Sequence, residues 1–146
     1  MQRSTVPATL GSLGAIAEFV MAAAASASLD KRASYHLRLA VDEIATNIIV
    51  YGYAKAGLQG ALELSADLDD STLTLSIEDT GAAFDPRQAP VPETDLPLEQ
   101  RPVGGLGVYL AIKSVDEFLY ERVGDRNRTI FKMHLSSAPL EEPGRA

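Results

Sequence analysis

The sequence of 146 residues predicts an α+β fold, a two-layer sandwich in which helices cover one face of a largely antiparallel sheet. Three observations predict it. ALELSADL with STLTLSIED, and DEFLYER with RTIFKMHL, each alternate apolar and polar residues on either side of a short polar turn, the pattern of half-buried hairpins. Three other stretches carry helical spacing or an Ala-rich helical composition. Their order along the chain is strand, two helices, hairpin, loop, helix, hairpin, which places strands next to strands and leaves the helices to share one side.

The opening STVPATLGSLG reads as a short edge strand running into a helix start. Residues 8–27 suit an Ala-rich helix. Its apolar run, LGAIAEFVMAAAASAS, has the look of a secretory signal core, but Glu18 interrupts it and Arg3 is the one cation before it. A packed helix is the expectation. Residues 30–53 form the strongest helical pattern: Asp30 can cap the start, and Leu37, Val41, Ile44 and Ile48 build one apolar stripe. The first hairpin should turn at Asp69-Asp70 and the second at Gly124-Asp125. Residues 86–102, PRQAPVPETDLPLEQRP, hold five of the eight prolines and no period, so a long functional loop is expected, a lid over about 86–104. VGGLGVYLAIKSV then opens a helix, and SSAPLEEPGRA, from about residue 136, reads as a loose tail.

Composition narrows the function. The length suits a single domain, residues 1–146. A net charge of −7 argues against a non-specific phosphate-backbone binder, which would need a basic stripe, so no direct nucleic-acid partner is expected. Cysteine is absent and the two histidines, His36 and His134, are far apart, which removes disulfide and thiolate-zinc chemistry. No run of 18 uninterrupted apolar residues exists, so no membrane partner and a cytoplasmic location are expected.

Four patches carry chemistry. Glu43 and Asn47, in DEIATN, share a helix face and sit about 100° from the middle of the apolar stripe. A carboxylate suits a general base and an amide oxygen suits Mg²⁺, although the same pair is also an ordinary solvated flank. Asp79 has the strand parity of Leu73, Leu75 and Ile77. A carboxylate on a core face is costly unless hydrogen-bonded, and a ligand's exocyclic amine would satisfy it; alternatively the strand ends at Glu78 and Asp79 starts a turn. Gly81 would let the chain turn and a ring approach. Gly104, Gly105, Leu106 and Gly107 precede a helix, where backbone N–H groups favour an anion, a weak signal by itself. Thr129 points inward beside Phe131 and Met133 and needs a partner. In this order the patches fit one nucleotide: Asp79 and Thr129 toward adenine, Asn47 toward a metal, the glycines toward phosphates.

The three ordered motifs DEIATN, IEDTGAAFDP and VGGLGVYLAIKSVDEF resemble the N box and the two glycine boxes of the GHKL, or Bergerat-fold, ATPases, with likeness over roughly residues 5–135. Within them the chain looks most like the small RsbW-like serine kinases that act as anti-sigma factors. The resemblance implies the Bergerat ATP-binding fold, with ATP and Mg²⁺ as cofactors. It implies Glu43 as general base, Asn47 as Mg²⁺ ligand and Asp79 as acceptor for the adenine amine, with Gly81 and Thr129 beside it. Gly105 and Gly107 would cover the phosphates, with Gly104 and Leu106 in the same box, and Arg101 would reach the terminal phosphate. It further implies a protein-serine kinase that holds a sigma factor and phosphorylates a STAS-type antagonist in a partner-switching system, with homodimerisation through the Ala-rich helix or a sheet edge. The alternative is a non-catalytic nucleotide-binding module that sequesters a protein partner. Two positions depart from the family pattern: Tyr51 stands where many relatives have His, and Ala83 replaces the second glycine of the first glycine box.

Overall fold

The computed structural model describes residues 1–83 and 105–135, with residues 105–108 and 110 described by backbone alone. The lid expected at about 86–104 and the tail from 136 lie outside the described residues. Five strands form one sheet, β1 (Gln2–Pro7), β2 (Ala61–Leu68), β3 (Thr72–Asp79), β4 (Glu117–Val123) and β5 (Arg126–His134). Their spatial order is β1-β2-β3-β5-β4, and every neighbouring pair is antiparallel. Helices α1 (Leu13–Ser26), α2 (Lys31–Asn47) and α3 (Gly105–Ser114) supply the second layer. None of the helices among the described residues is long and apolar enough to cross a membrane.

Strand parity decides the core. Leu62, Leu64, Leu73, Leu75, Ile77 and Phe131 are buried against Ile16, Val20, Leu37, Val41 and Ile44 of the helices. Each such side chain contributes about 1.5–3 kcal/mol by leaving water. Leu68 has the right parity but lies at the strand end and is 45% exposed. The opposite face carries Glu63, Ser65, Thr74, Ser76, Glu78 and Arg128 around an open depression of about 460 Å³. Its hydroxyls and charges bond one another, as in Ser65 with Ser76 and Arg128 with Glu78.

Helix ends follow local chemistry. The helix expected over 8–27 begins with a tight turn, Leu10–Ser12, and becomes α-helical at Leu13. It ends with Ser28 at a φ of 56°, while the Ser28 and Leu29 N–H groups bond the Ala25 and Ala24 carbonyls, a Schellman closure made without glycine. Asp30 caps α2 by accepting from the Ala33 N–H at 2.8 Å.

Two sequence expectations need correction. The helix expected to run unchanged to residue 53 stops being an α-helix after Asn47, and Ile48–Ala54 continue as a π-helix. The wider coil pushes the Gly52 carbonyl outward, where it accepts from the Ala82 N–H at 2.9 Å. The turn of the first hairpin centres on Asp70-Ser71 rather than Asp69-Asp70. Asp69 closes it instead, its Oδ1 accepting from the Ser71 and Thr72 N–H groups at 2.8 Å each, an Asx turn.

Candidate functional site

The sheet's registration brings the site together. Asp79, the last residue of β3, lies opposite Asn127 of β5, and Thr129 lies opposite Ile77. All three face the helices, with Asp79 2%, Asn127 3% and Thr129 1% exposed. β3 includes Asp79, so the strand does not end at Glu78, and Asp79 also opens the turn that follows, its Oδ1 accepting from the Gly81 N–H. A narrow cavity of about 10 Å³ is lined by Asn47, Ile48, Gly52, Asp79, Ala82, Tyr120, Asn127 and Thr129, with room for about one water.

The Asp79 carboxylate is asymmetric. Oδ1 accepts from the Gly81 N–H at 2.8 Å and from Asn127 Nδ2 at 2.9 Å. Oδ2 is buried and is the one such side-chain atom among the described residues that lacks a hydrogen-bond partner. Burial pushes the Asp79 carboxyl up, and the bonds from Asn127 and Gly81 and the charges of Arg122 and Arg126 only partly offset it. An ionisable oxygen left bare in this way fits a ligand donor, and an amino group on a flat base is such a donor.

Asn47 is 7% exposed. Its Nδ2 donates to the Glu43 carbonyl at 2.8 Å, which turns Oδ1 away from that bond as a hard oxygen acceptor. Glu43 sits one helical turn earlier, about 6 Å along the axis. Half-burial raises its carboxyl above the usual range, and neighbouring Asp42 adds to the rise, which makes Glu43 a stronger base when ionised. Glu43 does not line the cavity; its distance along the helix suits the far end of a bound nucleotide rather than the base.

Gly81 serves a purpose beyond the turn expected of it. A Cβ there would lie 2.6 Å from the Gly52 carbonyl oxygen, so the bare glycine lets the loop after β3 seat against the π-helix. Tyr53 completes this joint, its hydroxyl accepting from the Thr80 N–H at 2.9 Å. Ala83, in place of a family glycine, is not among the residues with positive φ and needs no glycine. Tyr51 lies within the π-helix, with Lys55 Nζ 5.0 Å from its ring centre.

Gly105, Leu106 and Gly107 form the first turn of α3, which packs against α2. Gly104 and Arg101 lie outside the described residues. Asn127, Tyr120 and Arg122 were not anticipated. Tyr120 OH and Arg122 Nη1 both donate to Asn127 Oδ1, the latter at 3.0 Å, and Arg122 Nη1 also reaches the Gly81 carbonyl at 3.2 Å. The parity that singled out Thr129 applies equally to Asn127, two residues earlier.

A family model described as "Histidine kinase-like ATPase domain" matches residues 6–133. The chain belongs to the histidine kinase-like ATPase family. It is 31% identical over 108 residues to the serine/threonine-protein kinase BtrW of Bordetella bronchiseptica, a match covering 74% of each chain. The histidine kinase AdeS of Acinetobacter baumannii has a similar fold, with a TM-score of 0.52 over 94% of this chain and 70% of that one at 16% identity. Membership of this ATPase family implies ATP binding, and together with the kinase relative it supports ATP-dependent kinase activity. The orphaned Asp79 Oδ2 and the inward Thr129 hydroxyl give such a ligand an acceptor and a hydroxyl in one buried cavity, which Asn47 also lines.

Proposed function

We propose that this member of the histidine kinase-like ATPase family is an ATP-dependent protein-serine kinase. In this reading it holds a sigma factor and phosphorylates a serine on a STAS-type antagonist. The observation that carries the nucleotide part is the buried, unpartnered Asp79 Oδ2 beside Thr129 and Asn47. The protein-serine target is supported by the named activity of the Bordetella relative and by a candidate base, Glu43, one turn from Asn47.

Each residue has a distinct task. Asp79 accepts from the adenine amine, and Thr129 offers a hydroxyl to the same ring. Asn47 Oδ1 would provide one hard ligand for Mg²⁺, which would supply charge neutralisation at the phosphates. Glu43 takes the proton from the attacking serine hydroxyl, and its raised pKa brings it nearer the operating pH. Phosphoryl transfer relies mainly on positioning and charge neutralisation, and α2 supplies both Glu43 and Asn47 from one rigid element.

The test is transfer of labelled γ-phosphate from ATP with Mg²⁺ to a purified STAS-type antagonist. Glu43→Gln should lower the transfer rate about 10²- to 10⁴-fold while nucleotide affinity stays within about threefold. Transfer by the Gln variant at the wild-type rate would remove Glu43 as the base. Nucleotide binding by the wild type without transfer to any serine-bearing antagonist would leave a sequestering module in place of a kinase.

A further inference from the structure

Three residues stand in a row across neighbouring strands: Asp79 on β3 pairs with Asn127 on β5, and Asn127 pairs with Arg122 on β4. The middle residue is an amide whose two ends are chemically opposite. Its oxygen receives two donors, Tyr120 OH and Arg122 Nη1. Its nitrogen faces acceptors, Asp79 Oδ1 at 2.9 Å, the Gly81 carbonyl at 3.1 Å and the Ala82 carbonyl at 3.4 Å. Rotating the amide by half a turn would set oxygen against carboxylate and carbonyl oxygens, and NH₂ against the donors Tyr120 and Arg122. The network therefore permits one orientation.

That orientation determines which oxygen of Asp79 is available. Oδ1 already accepts two hydrogen bonds, from Gly81 N and Asn127 Nδ2, which uses its lone pairs. Oδ2 alone remains. Without Asn127 only the Gly81 N–H would hold the carboxylate, and its plane could swing about the last torsion, which is broad for such a bond, so that the bare oxygen no longer points steadily into the cavity.

We propose that Asn127, oriented by Tyr120 and Arg122, is a positioning residue for base recognition, fixing the plane of the Asp79 carboxylate so that one bare oxygen points at the ligand and the pocket selects a purine with an exocyclic amino group. This rests on the nucleotide reading above. An ionised oxygen with no proton to give rewards an amino donor and repels a carbonyl oxygen in the same place. The contribution comes from β4 and β5, away from the three motifs that define the family resemblance.

The test uses two probes that differ at this one group, ADP and inosine diphosphate, which has a carbonyl in place of the amine. Affinities are measured by calorimetry with Mg²⁺. Wild type should prefer ADP by on the order of 100-fold. Asn127→Ala should lower that preference at least about tenfold while inosine diphosphate affinity stays within about threefold. Equal weakening of both nucleotides, with the preference intact, would overturn the positioning role and leave Asn127 a structural tie. Should the Ala variant fail to fold, Tyr120→Phe removes one orienting donor from the half-exposed β4 edge; its preference should also fall, and an unchanged preference would overturn the proposal. Absence of any preference in the wild type would instead sink the Asp79 adenine reading, and this inference with it.

Discussion

Glu78 and Asp79 are consecutive carboxylates on one strand, and the sheet sends them to opposite fates. Glu78 faces the open side, where Arg126 Nε lies 3.1 Å and Arg128 Nη2 2.7 Å from its oxygens. Asp79 faces the helices with one oxygen unmatched. Partial burial pushes the Glu78 carboxyl up, but the hydrogen bonds and charges of Arg128 and Arg126 outweigh it, and the net shift is downward. At Asp79 burial prevails and the net shift is upward. A shift of one residue in strand register would exchange the two environments. The comparison separates a carboxylate with both oxygens paired from one that keeps an oxygen bare among the described residues.

The largest expected effect breaks the functional half of that contrast. Asp79→Asn should weaken ADP binding by on the order of 100-fold, read by calorimetry. The same variant removes a buried charge, so the ligand-free protein should melt no lower than wild type. A large drop in melting temperature would mean that Asp79 supports the fold rather than the ligand.

Next comes the joint that carries Asp79. Gly81→Ala places a methyl 2.6 Å from the Gly52 carbonyl oxygen and should destabilise the protein by about 1–3 kcal/mol. At Gly52 itself a Cβ would meet nothing nearer than 3.8 Å, so Gly52→Ala should cost far less. Denaturant melts of the pair measure the difference, and equal losses would remove close packing as the reason for Gly81.

pH sharpens the comparison, because the two shifts have opposite signs. Asp79, raised from 3.8, makes the folded state bind its proton more tightly. Its contribution to stability is present at low pH and is lost as pH rises from about 3.8 through its higher folded value. Glu78, lowered from 4.5, contributes stability above that value and loses it as pH falls through its depressed folded one. Asp79→Asn and Glu78→Gln should therefore remove slopes of opposite sign from the stability–pH curve. ADP affinity should fall as Asp79 takes up its proton, since a protonated Oδ2 becomes an O–H donor and a weaker, uncharged acceptor, and Asp79→Asn should flatten that dependence.

The smallest effect is expected at Glu78 in neutral solution. Its pairs are partly exposed, and Glu78→Gln should cost about 0.5 kcal/mol with ADP affinity within about threefold. A loss of binding comparable to that of Asp79→Asn would erase the distinction between the two faces.

The sheet and most of the pocket were legible because alternation is a strong signal. Parity alone placed Asp79 and Thr129 inward, and helical spacing placed Glu43 and Asn47 beside the stripe. Asn127 escaped because β5 was expected to start at Arg128. The two-residue turn at Gly124-Asp125 makes Val123 pair with Arg126, so the next residue, Asn127, already belongs to the ladder. The π-helix left no mark on the apolar pattern: Leu37, Val41, Ile44 and Ile48 read as one continuous helix. Its Gly52 carbonyl meets a partner distant in sequence, the Ala82 N–H, and local propensity carries no record of such a partner.

That widened coil also constrains changes in chain length. A π-turn holds one more residue per hydrogen-bonded ring than an α-turn, so Ile48–Ala54 resembles an accommodated insertion. Deleting one residue there would let the backbone relax to ordinary α-helix while the flanking segments keep their orientation, so the change would fall on the widened turn itself. Asn47, upstream, would stay in place, while the Gly52 carbonyl would swing away from the loop that carries Gly81. The spacing between Asn47 and Gly52 is therefore a count on which the bond to the Gly81 loop depends.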